Sequence, residues 1–425
     1  MSAIGNKDLD HRRSRTARSL GIDFLVGFRN VTRQKRRSMF NMAAIAFGLA
    51  ALVLAGGFTE WIFWATREAA IKYGFGHIQV VRRGFFNSGL ADPFHYLLPQ
   101  HASELEILER VPNLKRVAAK LSLTGLISHG DTTVPFVGEG IDPDAENNFA
   151  PHSIITKGTG LSEREPNGII LGRGLASSLG VNVGDGVVLL ATTRKGSLNG
   201  ADARVLGFFS TAFRAYDDSA LRVPLPFAQR LIGVSGVHRW IVLLTDTNKT
   251  DQATDYLRTQ LADPTLEIVS WYEVADFYKK TVALLSQQLA VVHLIIGFII
   301  VLTISNSLLM SVMERTGEIG TCLAIGVPRG RIMRRFIVEG ITLGLLGGIV
   351  GVAIGIGLAK GISIKGIPMP PPPGRSEGYV AEIFVTRKIV AEAFGLAVAT
   401  TLIASLFPAW RASRLVIVDA LRHNR

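Results

Sequence analysis

Four stretches of this chain stay apolar long enough to cross a bilayer, and between the first and second the pattern changes to that of a folded polar domain. A hydrocarbon core of about 30 Å takes roughly 20 apolar residues in a helix. Residues 39–64, 288–313, 336–359 and 389–410 each reach that length. From Thr281 to Met313, 33 residues pass without Asp, Glu, Lys or Arg, more than a bilayer needs. The first run ends in Trp61-Ile62-Phe63-Trp64, whose two indoles, three apart, share a helical face suited to an outer aromatic belt. Helical composition continues through Glu68-Ala69-Ala70-Ile71 until Gly74 and Gly76 stop it. Spans one and two are therefore expected to run on outward as a stalk. The pattern predicts an α-helical membrane protein with four transmembrane helices, arranged 1+3, and a large α/β extracytoplasmic domain between helices one and two.

Residues 65–287 alternate β-type runs with turns and short helices. Strands are expected at 77–81, 187–192, 204–209, 221–223, 240–244 and 267–269, and helices at 104–111, 226–231 and 251–261. The run 168–180 reads strand, turn, short helix, with Gly180 as the cap. Residues 271–287 read as helix continuous with the second span. About 220 residues suffice for one or two α/β subdomains.

Charge sets the orientation. The chain has 425 residues, 48% of them hydrophobic, a mean hydropathy of +0.30 and a formal charge of +12. Residues 1–38, 314–335 and 411–425 hold 19 Lys/Arg against 6 Asp/Glu, whereas residues 65–285 hold 22 against 23. The excess flanks spans instead of covering a folded face, which argues against nucleic acid as a partner. By the positive-inside rule the three basic stretches, both termini included, are cytoplasmic, and 65–287 and the loop 360–388 lie outside. Residues 38–59 form an uncharged run of 22, longer than a signal-peptide core, and read as an uncleaved anchor. The single cysteine, Cys322, falls in the cytoplasmic loop, so no disulfide is expected in the outer domain. Phe24 to Val31, followed by Arg33, Lys35, Arg36 and Arg37, reads either as an amphipathic helix on the inner membrane surface, meeting anionic lipid, or as a basic flank.

Chemistry-bearing motifs are few. No Gly-x4-Gly-Lys-Ser/Thr loop occurs, so nucleotide phosphates cannot be cradled by that device and any ATP hydrolysis falls to another chain. His-Glu-x-x-His, Gly-x-Ser-x-Gly and paired cysteines are also missing, and the nine histidines show no ligand spacing. No metal site and no catalytic residue is expected. His293 alone lies inside a span, read either as a hydrogen-bonded structural residue or as a relay or substrate group. In the third span Gly340, Gly344 and Gly348 form one ladder at spacing four, and Gly347, Gly351 and Gly355 another. Such ladders let helix backbones approach closely. Arg335 and Glu339 at i, i+4 are expected to pair. Glu314, Arg315 and Glu318 are expected on a short cytoplasmic helix ended by Gly326 and Pro328. Ile367-Pro368-Met369-Pro370 and the prolines to Pro373 form a stiff connector or a docking segment.

The run Glu314-Arg315-Thr316-Gly317-Glu318-Ile319-Gly320, then Ala324-Ile325-Gly326, then Glu339 and the glycine-rich helix, resembles the MacB/FtsX-type ABC transporter permeases. The pattern LGRGLASSLGVNVGDGVVLL resembles that family's outer domain, the FRN…R…RR entry its N-terminus, and Phe407-Pro408-Ala409-Trp410-Arg411 through Leu421-Arg422 its closing segment. Trp410 and Ile417 depart from the residues common there, a basic residue and a proline. The resemblance implies that Glu314, Arg315, Glu318, Ile319, Gly320, Ala324, Gly326 and Pro328 form the coupling segment docked on a separate ABC ATP-binding subunit. That subunit would hold ATP and Mg, leaving this chain without a cofactor. It further implies a bacterial inner-membrane permease working with a second permease subunit, identical or paralogous. Such permeases extract lipoproteins or lipids, or expel other periplasmic cargo, with a periplasmic carrier as a further partner. The 1+3 arrangement looks most like the lipoprotein-releasing branch. Phe58, Trp61, Trp64, Leu285, Leu289 and Val292 are then candidate substrate contacts, or simply face membrane lipid. An FtsX-like signalling protein that moves nothing is the alternative.

Overall fold

The computed structural model of the chain describes residues 35–89, 92–99, 103–143, 154–211, 214–370 and 378–422. The expected surface segment from Phe24 through Arg33 and the proline run from 371 onward lie outside them. Two compact units emerge, one from residues 1–62, 283–367 and 381–425 and the other from 63–282 and 368–380.

In the first unit lie long helices named α1 (Lys35–Ala70), α2 (Asp276–Glu314), α4 (Arg329–Lys365) and α5 (Arg387–Ser413), with short helices α3 (Thr316–Ala324) and α6 (Ile417–Arg422); α1 and α2 continue past its boundary. All four long helices are apolar enough to span a membrane. They outrun the expected spans because an apolar run sets only a minimum length, and a helix continues into polar sequence until something stops it. For α1 the stop is a π-turn at Ile71–Phe75 closed by Gly76 at φ 63°, where the sequence placed it. Residues 271–287 are not one helix. Ser270 and Glu273 form a capping box that starts a separate turn, Trp271–Val274, and α2 begins only at Asp276.

The glycine ladders hold this unit together, each facing a different helix of the same chain. A methyl added at Gly340 would meet Ser405 Cβ at 2.7 Å, one at Gly344 would collide with Thr401, and one at Gly348 would touch Phe394 at 3.2 Å, all on α5. The second ladder faces α1: Gly347 against Ile45 at 2.9 Å, Gly351 against Ala46 Cα at 2.7 Å, Gly355 against Val53 at 2.9 Å. A bilayer supplies no hydrophobic drive between helices, so this proximity is what dispersion and polar contacts require. Ile45, Leu49, Ile304 and Ala397 are fully buried in the resulting apolar core.

The second unit is built on a ten-stranded mixed sheet. Its strands are β1 (Ile78–Arg82), β2 (Leu114–His129), β3 (Thr132–Ile141), β4 (Ile154–Gly158), β5 (Gly168–Gly172), β6 (Gly186–Thr192), β7 (Leu198–Ser210), β8 (Ala220–Pro224), β9 (Arg239–Leu244) and β10 (Leu266–Ser270). They run in the order β10-β1-β9-β2-β3-β8-β5-β7-β4, with β6 crossing onto β2 and β7. The β2–β3 hairpin, in register from Lys120↔Ile141 to His129↔Thr132, and β4 are strands the sequence reading did not place. Two glycines of this hairpin have specific uses. Gly125 lies where β6 crosses, and a side chain would strike the Leu190 carbonyl; Gly130, at φ 56°, turns the hairpin.

One face of the sheet packs on the main core, which buries Trp240, Leu121, Phe136 and Val242 with the helix Leu225–Ile232. Side chains alternate faces along a strand. The other face carries two smaller apolar clusters, one around Ile241, Leu243 and Trp271 and one around Ile141, Ile170 and Phe209. Between them runs a row of charged side chains from adjacent strands: Arg239 (β9), Lys120 (β2), Glu139 (β3) and Arg222 (β8).

Candidate coupling site

The segment between α2 and α4 folds as a short helix with a built-in stop. Its C-terminus is a Schellman turn: Val327 N–H donates to the Cys322 carbonyl at 3.0 Å and Gly326 N–H to Leu323 at 3.1 Å. Gly326 takes the required φ of 91°. Pro328 then caps α4. Gly326 and Pro328 thus end one helix and start the next, as their chemistry predicts.

Two faces of α3 divide the predicted residues. Ile319 and Leu323 are buried with Val312, Ile332, Phe336, Ala409 and Ala412. Gly320 lies against α6, where a methyl would come within 2.6 Å of Ala420 Cβ. Ile319 and Gly320 therefore anchor the helix of the expected coupling segment and do not face outward. Glu314, Glu318, Ala324, Gly326 and Pro328 are exposed. Arg315 sits at the α2–α3 junction and donates from Nη1 to Glu339 Oε2 of α4 at 3.5 Å, with both side chains largely buried. Arg315 is thus a cation on Glu339. Arg335, expected there from its spacing, is exposed, because Glu339 faces the α2–α3 junction and not the outer side of its own helix.

Two participants escaped the sequence reading. Ile325 is 78% exposed at the tip of the loop, and its place in the Ala-Ile-Gly run was the available signal. Helix α6 packs on α3 through Ala420; the small residue in the closing segment, opposite a glycine, was the signal there. At the break before α6, Trp410 stacks with Phe407, centroids 6.3 Å apart, and carries Arg414 over its ring at 4.9 Å.

The candidate substrate contacts differ in exposure. Phe58 and Trp61 stack with centroids 6.4 Å apart, and Trp61 retains only 7% of its surface, so it is not presented to a ligand in this conformation. Trp64, on the same expected face, is 41% exposed. Leu285, Leu289 and Val292 are half-buried along α2. His293 Nδ1 is 2.8 Å from the Leu289 carbonyl one turn back, a bond within its own helix.

The FtsX-like permease C-terminal family model matches residues 290–417, and the model of the MacB-like periplasmic core domain matches residues 38–260. The chain belongs to this family of ABC transporter permeases: an FtsX-like membrane part joined to a MacB-like periplasmic core. Among its relatives, the lipoprotein-releasing system transmembrane protein LolC of Xylella fastidiosa (strain Temecula1 / ATCC 700964) is 25% identical over 429 residues, 94% of this chain and 98% of LolC. The macrolide export ATP-binding/permease protein MacB of Acinetobacter baylyi is 32% identical over 239 residues, 53% of this chain and 33% of that protein. The chain thus matches about a third of that MacB relative's length and nearly all of LolC's. The crystal structure of the periplasmic region of MacB from Actinobacillus actinomycetemcomitans aligns with 48% of this chain and 93% of that one, at 14% identity and a TM-score of 0.35.

Proposed function

We propose that this chain is the membrane subunit of an inner-membrane ABC transporter, with both termini cytoplasmic, that receives ATP-driven motion from a separate ATP-binding subunit at α3 and passes it to the outer domain. ATP and Mg would be held by that partner, and a second permease chain would complete the assembly. Lipoproteins or lipids of the outer leaflet are the proposed cargo. The full-length match to LolC supports this over other periplasmic molecules and over signalling without transport. The observation that carries the reading is the division of α3. Its inner face is fixed by Ile319, Leu323 and Gly320, and its junction by the Arg315–Glu339 pair. Its outer face offers Glu318, Ala324 and Ile325. A helix anchored in this way moves as part of the bundle when a partner pushes on it.

Glu318→Lys tests the docking face. If the carboxylate makes a charge-assisted hydrogen bond to the ATP-binding subunit, reversal should weaken docking by about 1–3 kcal/mol. The chain should still insert and fold, because Glu318 is exposed and holds no ion pair among the described residues. Co-purification of the cognate ATP-binding subunit with wild type and Glu318→Lys, alongside substrate-stimulated ATP hydrolysis, is the measurement. Retention of both binding and stimulation in the variant would remove α3 as the joint.

A further inference from the structure

The outer unit contains a cavity of about 400 Å³, within the range of roughly 300–1,000 Å³ usual for small-molecule sites. Phe75, Tyr216, Phe277 and Tyr278 line it with aromatic surface, and Glu139 and Arg239 of the charged row line it with polar surface. An apolar wall with a few fixed polar groups is the composition such sites share.

The charged row behind this wall has three cations, Lys120, Arg222 and Arg239, to one carboxylate, Glu139. Glu139 accepts from Lys120 Nζ at 3.1 Å and from Arg239 Nη2 at 3.0 Å. Burial alone would raise the Glu139 pKa, but Lys120, Arg239 and Arg222 outweigh it and hold the group at about 2. One permanent carboxylate therefore serves both Lys120 and Arg239. Arg239 donates further to Ser122 Oγ at 3.1 Å, yet its buried Nε–H has no acceptor among the described residues. A buried donor left unpaired is costly and uncommon. The other carboxylate lining the cavity, Asp276, is exposed and already bound to Lys279 at 2.8 Å. A cationic ligand would have to displace a partner from one of these carboxylates, whereas an anionic one meets the Arg239 guanidinium, in a row whose three cations share one carboxylate.

We infer that this cavity binds an anionic amphiphile, its phosphate or carboxylate head received by Arg239 and its apolar tail packed against Phe75, Tyr216, Phe277 and Tyr278. A lipid and a soluble acyl anion share this chemistry. The site requires no ATP-binding subunit, so it stands or falls separately from the transport reading.

The test uses the full-length chain in nanodiscs of zwitterionic phosphatidylcholine, with binding followed by calorimetry against empty nanodiscs. The probes are octyl phosphate, octanoate, octanol, octyltrimethylammonium and inorganic phosphate, each below its micelle threshold. The two anionic amphiphiles should bind at least tenfold more tightly than the other three. Arg239→Gln should weaken octyl phosphate at least tenfold, and Phe277→Ala, at a position already 63% exposed, about threefold without loss of fold. Anionic lipid added to the nanodisc should compete with octyl phosphate if lipid is the source, and fail to compete if the ligand is a soluble anion; in both cases the site exists. Equal binding of octanol or octyltrimethylammonium would overturn the role of charge, and equal binding of inorganic phosphate the role of the aromatic wall. Should Arg239→Gln not fold, the head-group series on the native chain decides the matter.

Discussion

Replacing Gly351 with alanine measures how tightly α1 and α4 are held. The added methyl would stand 2.7 Å from Ala46 Cα, 2.8 Å from the Ala46 carbonyl oxygen and 3.0 Å from Leu49 Cβ. These are backbone and Cβ atoms, flanked by the fully buried Ile45 and Leu49, so no side-chain rotation gives relief and the helices must part. Carbon atoms at rest stand about 3.5–4.0 Å apart, which sets the separation needed at roughly 1 Å; a gap of that size forfeits a quarter to a half of each dispersion contact along the seam. Over-packing of this kind costs about 1–3 kcal/mol. Alanine's better helix propensity returns about 0.5–1 kcal/mol. The net expectation is a loss of up to about 2.5 kcal/mol. Gly357 on the same helix is the control, because nothing lies within 4 Å of a methyl added there. Unfolding of membrane proteins is commonly irreversible, so apparent thermal midpoints at one heating rate are the quantity to compare. In nonionic detergent, read by fluorescence-detected size exclusion, Gly357→Ala should equal or exceed wild type and Gly351→Ala should fall below it. Equal midpoints for the two variants would refute the argument that close approach is what Gly351 is for.

Two further outcomes are expected. In a Cys322→Ser background, a cysteine at Asn199 should react with an impermeant maleimide in intact cells and one at Gly330 only after permeabilisation; outside labelling at Gly330 would invert the topology. His77 and His238 are held neutral, mainly by burial, at about 4 against 6.5, and each accepts a backbone N–H at Nδ1, from Leu244 at 3.1 Å and Ser122 at 3.0 Å. The unfolded chain binds these protons where the folded one does not, so the outer unit should lose stability as pH falls from about 6.5 to about 4, by up to about 3 kcal/mol per histidine. Above that window these two groups contribute no slope. Hydrogen exchange at pH 7.5 and pH 5 on the full chain checks this, and equal protection at both would contradict it.

The helices were legible in the sequence because their signal is long and one-dimensional: an apolar run, a glycine stop at Gly76, a Gly-Val-Pro break after α3. The ladders were legible as ladders, but which helix each one meets depends on where α1 and α5 lie, and local spacing does not encode that. The same limit applies to Glu339. Its spacing to Arg335 is local and visible, whereas Arg315 reaches it across a chain turn. The β2–β3 hairpin was hidden by Gly125, Pro135, Gly138 and Gly140, which lower strand propensity, yet Gly125 fits where β6 approaches and Gly140 where the neighbouring helix does; packing overrode propensity. The charged row of the outer unit was out of reach altogether, since Lys120, Glu139, Arg222 and Arg239 become neighbours only through strand order.

On the proposed function, the contacts around α4 say how a push on α3 would travel. Ile319 and Leu323 rest on Ile332 and Phe336 of α4, and Arg315 ties the start of α3 to Glu339 one turn further along. From that point α4 grips α5 through Gly340 and Gly344 and α1 through Gly347, Gly351 and Gly355. At each of these glycines even an added methyl would overlap the facing helix, so the seams leave no gap to absorb a displacement. Packed interiors respond to such a load as rigid bodies and not by graded deformation. Motion imposed at Glu318 and Ile325 would therefore reach α1 and α5 together, through α4, and not α2 alone. Helix α4 is then the element whose glycines matter twice, once for the stability of the bundle and once for transmission. A substitution that merely loosens the α1 seam should lower coupled ATP hydrolysis before it lowers expression.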